Sequence, residues 1–219
     1  MPFKLVIGNK AYSSWSFRPW ILLAHFKIPF EELVIPLDHP TTRADILKYS
    51  PTGRVPCLVD GPLKIWETLA IAEYIADVRP AKAIWPRAKP ARALARVLAS
   101  EMHAGFTALR SECPMNIRRA PKPPRQPLSA AALADVARLE AAFADARKRY
   151  GKSGPFLFSR FCAADAMFAP VVNRLHAYAI PVSAETRAYM DAMMALPAWK
   201  AWEKDVAEEV WHLEKYDSV

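Results

Sequence analysis

The sequence predicts a chain of two parts, in which an α/β domain is followed by a domain made only of helices. Up to Val78, short β-favouring apolar runs alternate with amphipathic helical patterns. Beyond residue 80 the strand signals disappear and alanine becomes abundant. Three prolines interrupt the chain where the pattern changes, namely Pro80, Pro86 and Pro90. We therefore predict an N-terminal domain over residues 1–79, a linker over 80–90 and an all-helical domain over 91–219.

The first domain is predicted to have the element order β-α-β-α-β-β-α. Residues 3–7 form an apolar run that ends at a Gly-Asn pair, which is typical of a buried strand. Apolar residues at helical spacing then predict a helix with Ser16 as its N-cap, which ends before Pro29. The later elements are predicted over residues 30–35 (strand), 41–49 (helix), 57–59 and 63–66 (strands), and 67–78 (helix).

The second domain is predicted to contain helices over residues 91–112, 130–149, 164–179, 185–195 and 197–209. The basic, proline-rich stretch 118–127 lies between the first two and is not helical, because proline lacks the amide hydrogen that a helix uses. We interpret it as a solvated loop. The alternative is a basic rim that gathers acidic substrates or orders against a partner chain.

Composition limits the classes of protein to which the chain can belong. No apolar run approaches the roughly 18 residues that span a bilayer, and the first residues are too short and strand-like for a signal peptide. We expect a cytoplasmic protein without a membrane partner. The net charge of +8 is scattered among 22 acidic residues, so we expect no nucleic-acid partner, although anionic substrates are attracted.

The three cysteines predict neither a disulfide framework nor a metal site. Cys57, Cys113 and Cys162 are widely spaced and odd in number. We expect them to be small buried hydrophobic residues, and we expect no metal.

Two local patterns predict binding of an amino-acid-like ligand. Pro56 stands at the entrance of a predicted strand, where a cis peptide bond is expected and the backbone of Val55 is free to pair with an extended ligand. Glu67 and Thr68 begin the next helix, whose free amides favour an anion. The Thr68 hydroxyl would donate to a carboxylate and Glu67 would accept from an ammonium group. The alternative for this pair is a simple helix cap.

In this order and spacing the motifs resemble the glutathione S-transferase family, and the resemblance covers nearly the whole chain. Residues 50–58 (SPTGRVPCL) are similar to the family's NPxGxVPxL motif, and Glu67-Thr68 is similar to its Glu-Ser pair. The resemblance implies the glutathione S-transferase fold, with an α/β thioredoxin-like N-terminal domain and an all-α C-terminal domain. It also implies that Val55 and Pro56 hold the cysteinyl backbone of glutathione, and that Glu67 and Thr68 hold its γ-glutamyl end. Arg54 stands where members often carry a lysine that faces the glycyl carboxylate.

The loop after the first strand carries the residues for thiol activation. Residues 13–18 (SSWSFR) are similar to SSCSxR of zeta-class members and to SPFSxR of tau-class members. Aligned on the Ser-x-Arg end, Ser13 takes the place of the catalytic serine, whose hydroxyl stabilises the glutathione thiolate. Ser14 and Tyr12 remain alternatives. Trp15 stands where the zeta class has cysteine, which argues against thiol-transfer chemistry and puts zeta-class isomerase activity in doubt.

In the second domain the resemblance implies one structural residue and two pocket residues. Residues 161–165 (FCAAD) resemble the Ser/Thr-x-x-Asp motif that begins the family's core helix, so Asp165 is expected to be a structural cap. Cys162 stands where the motif has its Ser or Thr, so part of the stabilisation from the capping hydroxyl is expected to be lost. Arg110 and Met115 are expected in the hydrophobic substrate pocket, where Arg110 would meet an anionic substrate. Core packing is the alternative for Met115.

The activity that the resemblance implies is transfer of glutathione to an electrophilic small molecule, a detoxification reaction with glutathione as co-substrate. A homodimer is expected, because the family almost always forms one. Two alternatives stay open: a non-catalytic assembly or binding module with the same fold, and a glutathione-dependent isomerase or peroxidase.

Overall fold

A computed structural model describes residues 2–217 as an α/β part followed by a helical part. The first part contains β1 (Phe3–Ile7), α1 (Ser14–His25), β2 (Phe30–Val34), α2 (Thr42–Leu47), β3 (Cys57–Asp60), β4 (Leu63–Trp66) and α3 (Thr68–Val78). A 3₁₀ turn over Pro80–Lys82 follows. The second part contains α4 (Lys89–Ala104), α5 (Thr107–Glu112), α6 (Ala130–Ala146), α7 (Ala163–Ala177), α8 (Ala184–Met194), α9 (Pro197–Glu208) and α10 (Glu214–Asp217).

The four strands form one mixed sheet in the order β2-β1-β3-β4. β1 runs parallel to β2 and antiparallel to β3, with Leu5 opposite Leu58. β3 and β4 form a hairpin through Gly61, whose φ of +55° favours glycine. The predicted order β-α-β-α-β-β-α and the predicted fold class are confirmed, whereas the exact domain boundaries stay a prediction.

A shared apolar core joins the two parts. α7 is buried along almost its whole length, and α1 and α4 pack against it. Phe17 of α1 lies 4.8 Å from Trp202 and 5.1 Å from Trp199 of α9, measured between ring centroids. The two parts are therefore packed against each other through one continuous apolar core.

The start of α1 differs from the sequence prediction. The helix begins at Ser14, with Ser13 in the N-cap position, so the predicted N-cap role of Ser16 is wrong. Ser16 is buried inside the first turn, where its hydroxyl accepts from the Gly8 amide at 3.1 Å and from the Ser13 hydroxyl at 2.7 Å. The reason is tertiary: the Ser16 hydroxyl joins α1 to the end of β1 instead of capping its own helix.

The single helix predicted over residues 91–112 is two helices. α4 ends at Ala104, and Phe106 adopts a left-handed conformation with φ of +57° before α5 begins. This conformation places the Phe106 ring in the core, and burial of an aromatic ring offsets the backbone cost. The break redirects the chain, and Arg110 on α5 lines the cleft.

Asp165 is fully buried at the start of α7. Its carboxylate accepts from the Cys162 amide at 2.9 Å and from the Leu157 amide at 3.1 Å. Burial raises the pKa of Asp165 to about 6, and the two donated hydrogen bonds oppose this shift. The side chain thus joins the start of α7 to the loop before it.

The cysteines and most of the basic loop have the surroundings that the sequence predicts. All three cysteines are buried and free, as expected, and burial raises the pKa of Cys57 and Cys113 to about 11. Residues 121–127 are largely exposed, as expected of a solvated loop. Arg118, however, donates to the carbonyls of Trp211 and Glu209, so the beginning of the stretch is structural. Within residues 2–217, no helix has the length and apolar character needed to cross a membrane.

Candidate functional site

Two adjoining cavities lie in the cleft between the α/β part and the helical part. The larger, of about 420 Å³, is lined by Tyr12, Ser13, Ser14 and Met115 among others, and we call it the serine cavity. The smaller, of about 360 Å³, is lined by Pro56, Glu67 and Thr68 among others, and we call it the glutamate cavity. Four residues line both cavities, namely Trp15, Arg54, Val55 and Arg110.

The structure brings nearly all of the sequence-predicted site residues together in this cleft. Those that line one or both cavities are Tyr12, Ser13, Ser14, Arg54, Val55, Pro56, Glu67, Thr68, Arg110 and Met115. Asp165 lies apart from them, in the interior at the start of α7, and lines neither cavity. The cleft contains groups for both an extended peptide-like ligand and a second molecule beside it.

Ser13 lies at the N-terminal end of α1 and is 8% exposed. Its hydroxyl donates to that of Ser16, which also accepts from the Gly8 amide. Within the described chain, the amides of Trp15 and Ser16 have no backbone acceptor. A helix N-terminus of this kind attracts negative charge, so it favours an anion beside Ser13.

The two alternative hydroxyls have different surroundings. The Tyr12 hydroxyl donates to the Asp217 carboxylate at 2.9 Å and accepts from Arg118 at 3.2 Å, and its ring stacks on Tyr216. Burial raises the pKa of Tyr12, so its hydroxyl stays protonated and directed toward α10. The Ser14 hydroxyl has no hydrogen-bond partner among residues 2–217.

The segment before β3 presents free backbone groups to both cavities. The Val55–Pro56 peptide bond is cis, as the sequence predicts. The amide and carbonyl of Val55 have no hydrogen-bond partner in the described part of the chain. Arg54 beside it is exposed and forms no ion pair with any described residue. These groups are free to bind a ligand that lies along the segment.

Glu67 and Thr68 stand at the start of α3. Glu67 has a φ of +71°, and its exposed carboxylate lies 3.8 Å from Nε2 of His103. Thr68 is buried, and its hydroxyl donates to the Trp15 carbonyl at 3.3 Å. The start of α3 is therefore joined to the start of α1, which fixes the distance between the two ends of the cleft.

Two arginines lie against the Trp15 ring, and a third, Arg174, lines the serine cavity, as Trp15 does. The guanidinium carbons of Arg18 and Arg110 lie 4.2 Å and 4.8 Å from the Trp15 ring centroid. Arg174, from α7, donates through Nε to the Cys113 carbonyl at 2.9 Å. Burial and repulsion by neighbouring arginines lower the pKa of Arg18 and of Arg174, and the pKa of Arg174 falls to about 10. Burial lowers the pKa of Arg110.

Arg174 is a site residue that the sequence patterns did not identify. It lies in a predicted helix whose neighbouring residues are mostly apolar. Because arginine is rarely buried without a function or a partner, its presence in such a helix could have indicated a site residue. The Leu213–Asp217 segment beside the serine cavity was missed as well, because nothing in its sequence connects it with Tyr12.

The fold is that of the glutathione S-transferases. Residues 12–78 match the family described as Glutathione S-transferase, N-terminal domain, and residues 125–205 match Glutathione S-transferase, C-terminal domain. The chain belongs to the glutathione S-transferase family, as the sequence motifs predicted.

Solved structures share the fold over nearly the whole chain. A glutathione transferase homolog from Burkholderia, solved with bound glutathione, is 25% identical with a TM-score of 0.72, over 95% of this chain and 99% of that one. A diazinon-metabolizing glutathione S-transferase of the silkworm Bombyx mori has the same fold at 17% identity, with a TM-score of 0.73 and the same two coverages.

Curated relatives match only a short segment. The dichloromethane dehalogenase of Methylorubrum extorquens is 44% identical over 52 residues, which is 23% of this chain and 18% of that protein. A second dichloromethane dehalogenase, from Methylophilus leisingeri, is 45% identical over 38 residues, which is 17% of this chain and 14% of that protein. The chain thus spans less than a fifth of the length of these relatives.

Proposed function

We propose that the chain is a glutathione transferase, which binds glutathione along the cleft and activates its thiol for attack on an electrophilic small molecule. The proposal rests on one observation, which is that three features line two adjoining cavities. They are the Val55 backbone, which has no partner in the described chain, the start of α3 at Glu67 and Thr68, and the loop that carries Ser13. The relative from Burkholderia, with its bound glutathione, supports glutathione as the co-substrate. A homodimer, a cytoplasmic location and a role in detoxification belong to the same proposal.

Glutathione would lie with its γ-glutamyl end in the glutamate cavity. There the Glu67 carboxylate accepts from the ammonium group, while Thr68 offers its amide at the α3 N-terminus to the carboxylate. The Thr68 hydroxyl, which donates to the Trp15 carbonyl in the structure, would have to rotate away from that carbonyl to donate to the ligand as well. The Val55 amide and carbonyl pair with the cysteinyl backbone in antiparallel fashion. Arg54 binds the glycyl carboxylate, for which a guanidinium is well shaped.

In this position the cysteinyl sulfur faces Ser13. Serine hydroxyls can rotate, so the hydrogen bond between Ser13 and Ser16 can reverse its direction. The Ser16 hydroxyl would then donate to Ser13 while it still accepts from the Gly8 amide. The Ser13 hydroxyl would in turn donate its own proton to the sulfur. Lowering a thiol pKa by two units requires about 2.7 kcal/mol. One charge-assisted hydrogen bond together with the α1 N-terminus supplies this amount.

The reaction is attack of the glutathione thiolate on an electrophilic carbon. With an aryl chloride, the C–S bond forms and the C–Cl bond breaks, chloride leaves with the electron pair, and the thiol proton passes to solvent. The rate gain comes mainly from holding the two reactants in contact.

Turnover of chlorodinitrobenzene with glutathione tests the proposal. We expect thioether formation above the uncatalysed rate, proportional to protein concentration, saturable in both reactants and inhibited by S-methylglutathione. The matched control omits the protein and keeps all other components. If the folded protein gives no acceleration with this or other electrophiles, the transferase proposal fails and a non-catalytic binding module becomes the better account.

A further inference from the structure

We infer that Arg174 and Arg110 form an anion subsite in the serine cavity, which binds a carboxylate carried by the electrophilic co-substrate. The inference rests on the proposed function, because it specifies the second substrate of that reaction. It adds a substrate class, namely electrophiles that carry a negative charge.

The first observation is a buried cation with an unused donor. Arg174 is 4% exposed and lines the serine cavity, and its Nη1 has no hydrogen-bond partner in the described part of the chain. Its Nε is held by the Cys113 carbonyl, so the orientation of the guanidinium is fixed. Burying an unpaired charge is costly, and an anion in the cavity would remove that cost.

The second observation is that the positive charge of this region is uncompensated. Arg110 lines the same cavity, and the guanidinium makes one hydrogen bond to the described part of the chain, to the Gly105 carbonyl at 3.2 Å. Arg18 adds a third charge against Trp15, and its Nη2 also has no hydrogen-bond partner among the residues that the structure describes. Within residues 2–217, no carboxylate lies within ion-pair distance of any of the three. Burial together with repulsion between the arginines lowers the pKa of Arg18 and of Arg174, and burial lowers the pKa of Arg110, as expected of cations that lack a counter-ion.

The position of the subsite favours the second substrate over glutathione itself. In the proposed binding mode, the two glutathione carboxylates lie at Thr68 and at Arg54. Arg174 lines only the serine cavity, together with Ser13 and Met115. A cavity of about 420 Å³ accommodates a small aromatic molecule, with its carboxylate at the arginines and its reactive carbon toward the sulfur. Lys215 is not part of the subsite, because it forms an ion pair with Asp38.

A matched pair of electrophiles tests the inference. One is chlorodinitrobenzoate with its carboxylate para to chlorine, and the other is the corresponding carboxamide. In both, the glutathione thiolate forms the C–S bond, chloride leaves with the electron pair, and the thiol proton goes to the buffer. Each kcat/KM is divided by the uncatalysed rate constant with glutathione, which removes the difference in intrinsic reactivity.

We expect the native protein to prefer the carboxylate by about tenfold or more, because a bidentate charge-assisted contact is strong in a closed site. In Arg174→Gln and in Arg110→Gln the ratio should fall toward one. Arg160→Gln removes the same charge from an exposed position outside both cavity linings, and it should keep the native ratio. The inference is overturned if the native protein shows no preference, or if all three variants keep it.

A binding measurement separates failure of the inference from failure of the proposed function. In calorimetry without glutathione, the native protein should bind para-nitrobenzoate more tightly than para-nitrobenzamide, and Arg110→Gln should remove the difference even if Arg174→Gln fails to fold. Binding of the benzoate without turnover of either electrophile would keep the subsite and reject the transferase. Turnover of both electrophiles without preference would reject the subsite and keep the transferase.

Discussion

Replacement of Ser13 by alanine is expected to lower kcat for the glutathione-dependent reaction about a hundredfold. Loss of one preorganised hydrogen-bond donor from a site where negative charge develops or is localised has an effect of about this size. The Ser13 hydroxyl lies at the α1 N-terminus and is backed by Ser16. Without it the thiol of bound glutathione loses its strongest donor, and its pKa rises by about one to two units. Glutathione affinity should change little, because most of the contacts to the peptide are made elsewhere.

The matched controls are Ser14→Ala and Tyr12→Phe. The Ser14 hydroxyl has no partner in the described chain, and the Tyr12 hydroxyl is held by Asp217 and Arg118. Both variants should keep kcat within a few-fold of the native protein. The ultraviolet absorbance of the bound thiolate, followed against pH, reads the thiol pKa directly. A loss of thiolate in Ser14→Ala with native behaviour of Ser13→Ala would overturn the choice of Ser13.

Replacement of Asp165 by alanine is expected to lower the free energy of unfolding by about 3 kcal/mol at neutral pH. The substitution leaves the buried amides of Cys162 and Leu157 without an acceptor, and each such loss costs about 1–3 kcal/mol. Ser183→Ala, which removes the N-cap hydroxyl of α8 from an exposed position, is the matched control and should cost only about 1 kcal/mol. Denaturant unfolding with intrinsic tryptophan fluorescence measures both values.

The cost of Asp165→Ala should also depend on pH in a defined direction. The pKa of Asp165 in the folded protein, about 6, lies above its ordinary value of 3.8, so the folded state binds the proton more tightly than the unfolded state. The part of the stabilisation that depends on protonation of Asp165 is complete below the ordinary pKa and is lost as pH rises through about 6, whereas the two hydrogen bonds that the side chain accepts remain. The penalty of Asp165→Ala should therefore be larger at pH 5 than at pH 7.5, by about 1 kcal/mol. A penalty that grows toward neutral pH would contradict this account.

The features that could be predicted from sequence are those that local residues determine. The strands follow from short apolar runs bounded by turn residues, and the Val55–Pro56 and Glu67–Thr68 motifs depend on positions next to each other in the chain. Their place in one cleft follows because the predicted fold brings the end of β1 beside the starts of β3 and α3.

The features that could not be predicted depend on residues far apart in the chain. Ser16 has the composition of an N-cap, but its hydroxyl bonds to Gly8 at the end of β1. The break at Phe106 keeps helical spacing on both sides, so periodicity cannot reveal it. Arg174 is identified as a site residue only by its unpaired Nη1 and by its position beside Arg110 in the serine cavity.

Titration of the native chain with reduced glutathione by calorimetry tests the central claim most directly. The account predicts saturable binding at one site per chain, with a Kd at or below about 1 mM, equivalent to about 4 kcal/mol of binding free energy. Weaker binding in Glu67→Gln, which changes an exposed side chain of the glutamate cavity, would place the ligand there. Absence of saturable binding by the folded native protein at several millimolar glutathione would contradict the account.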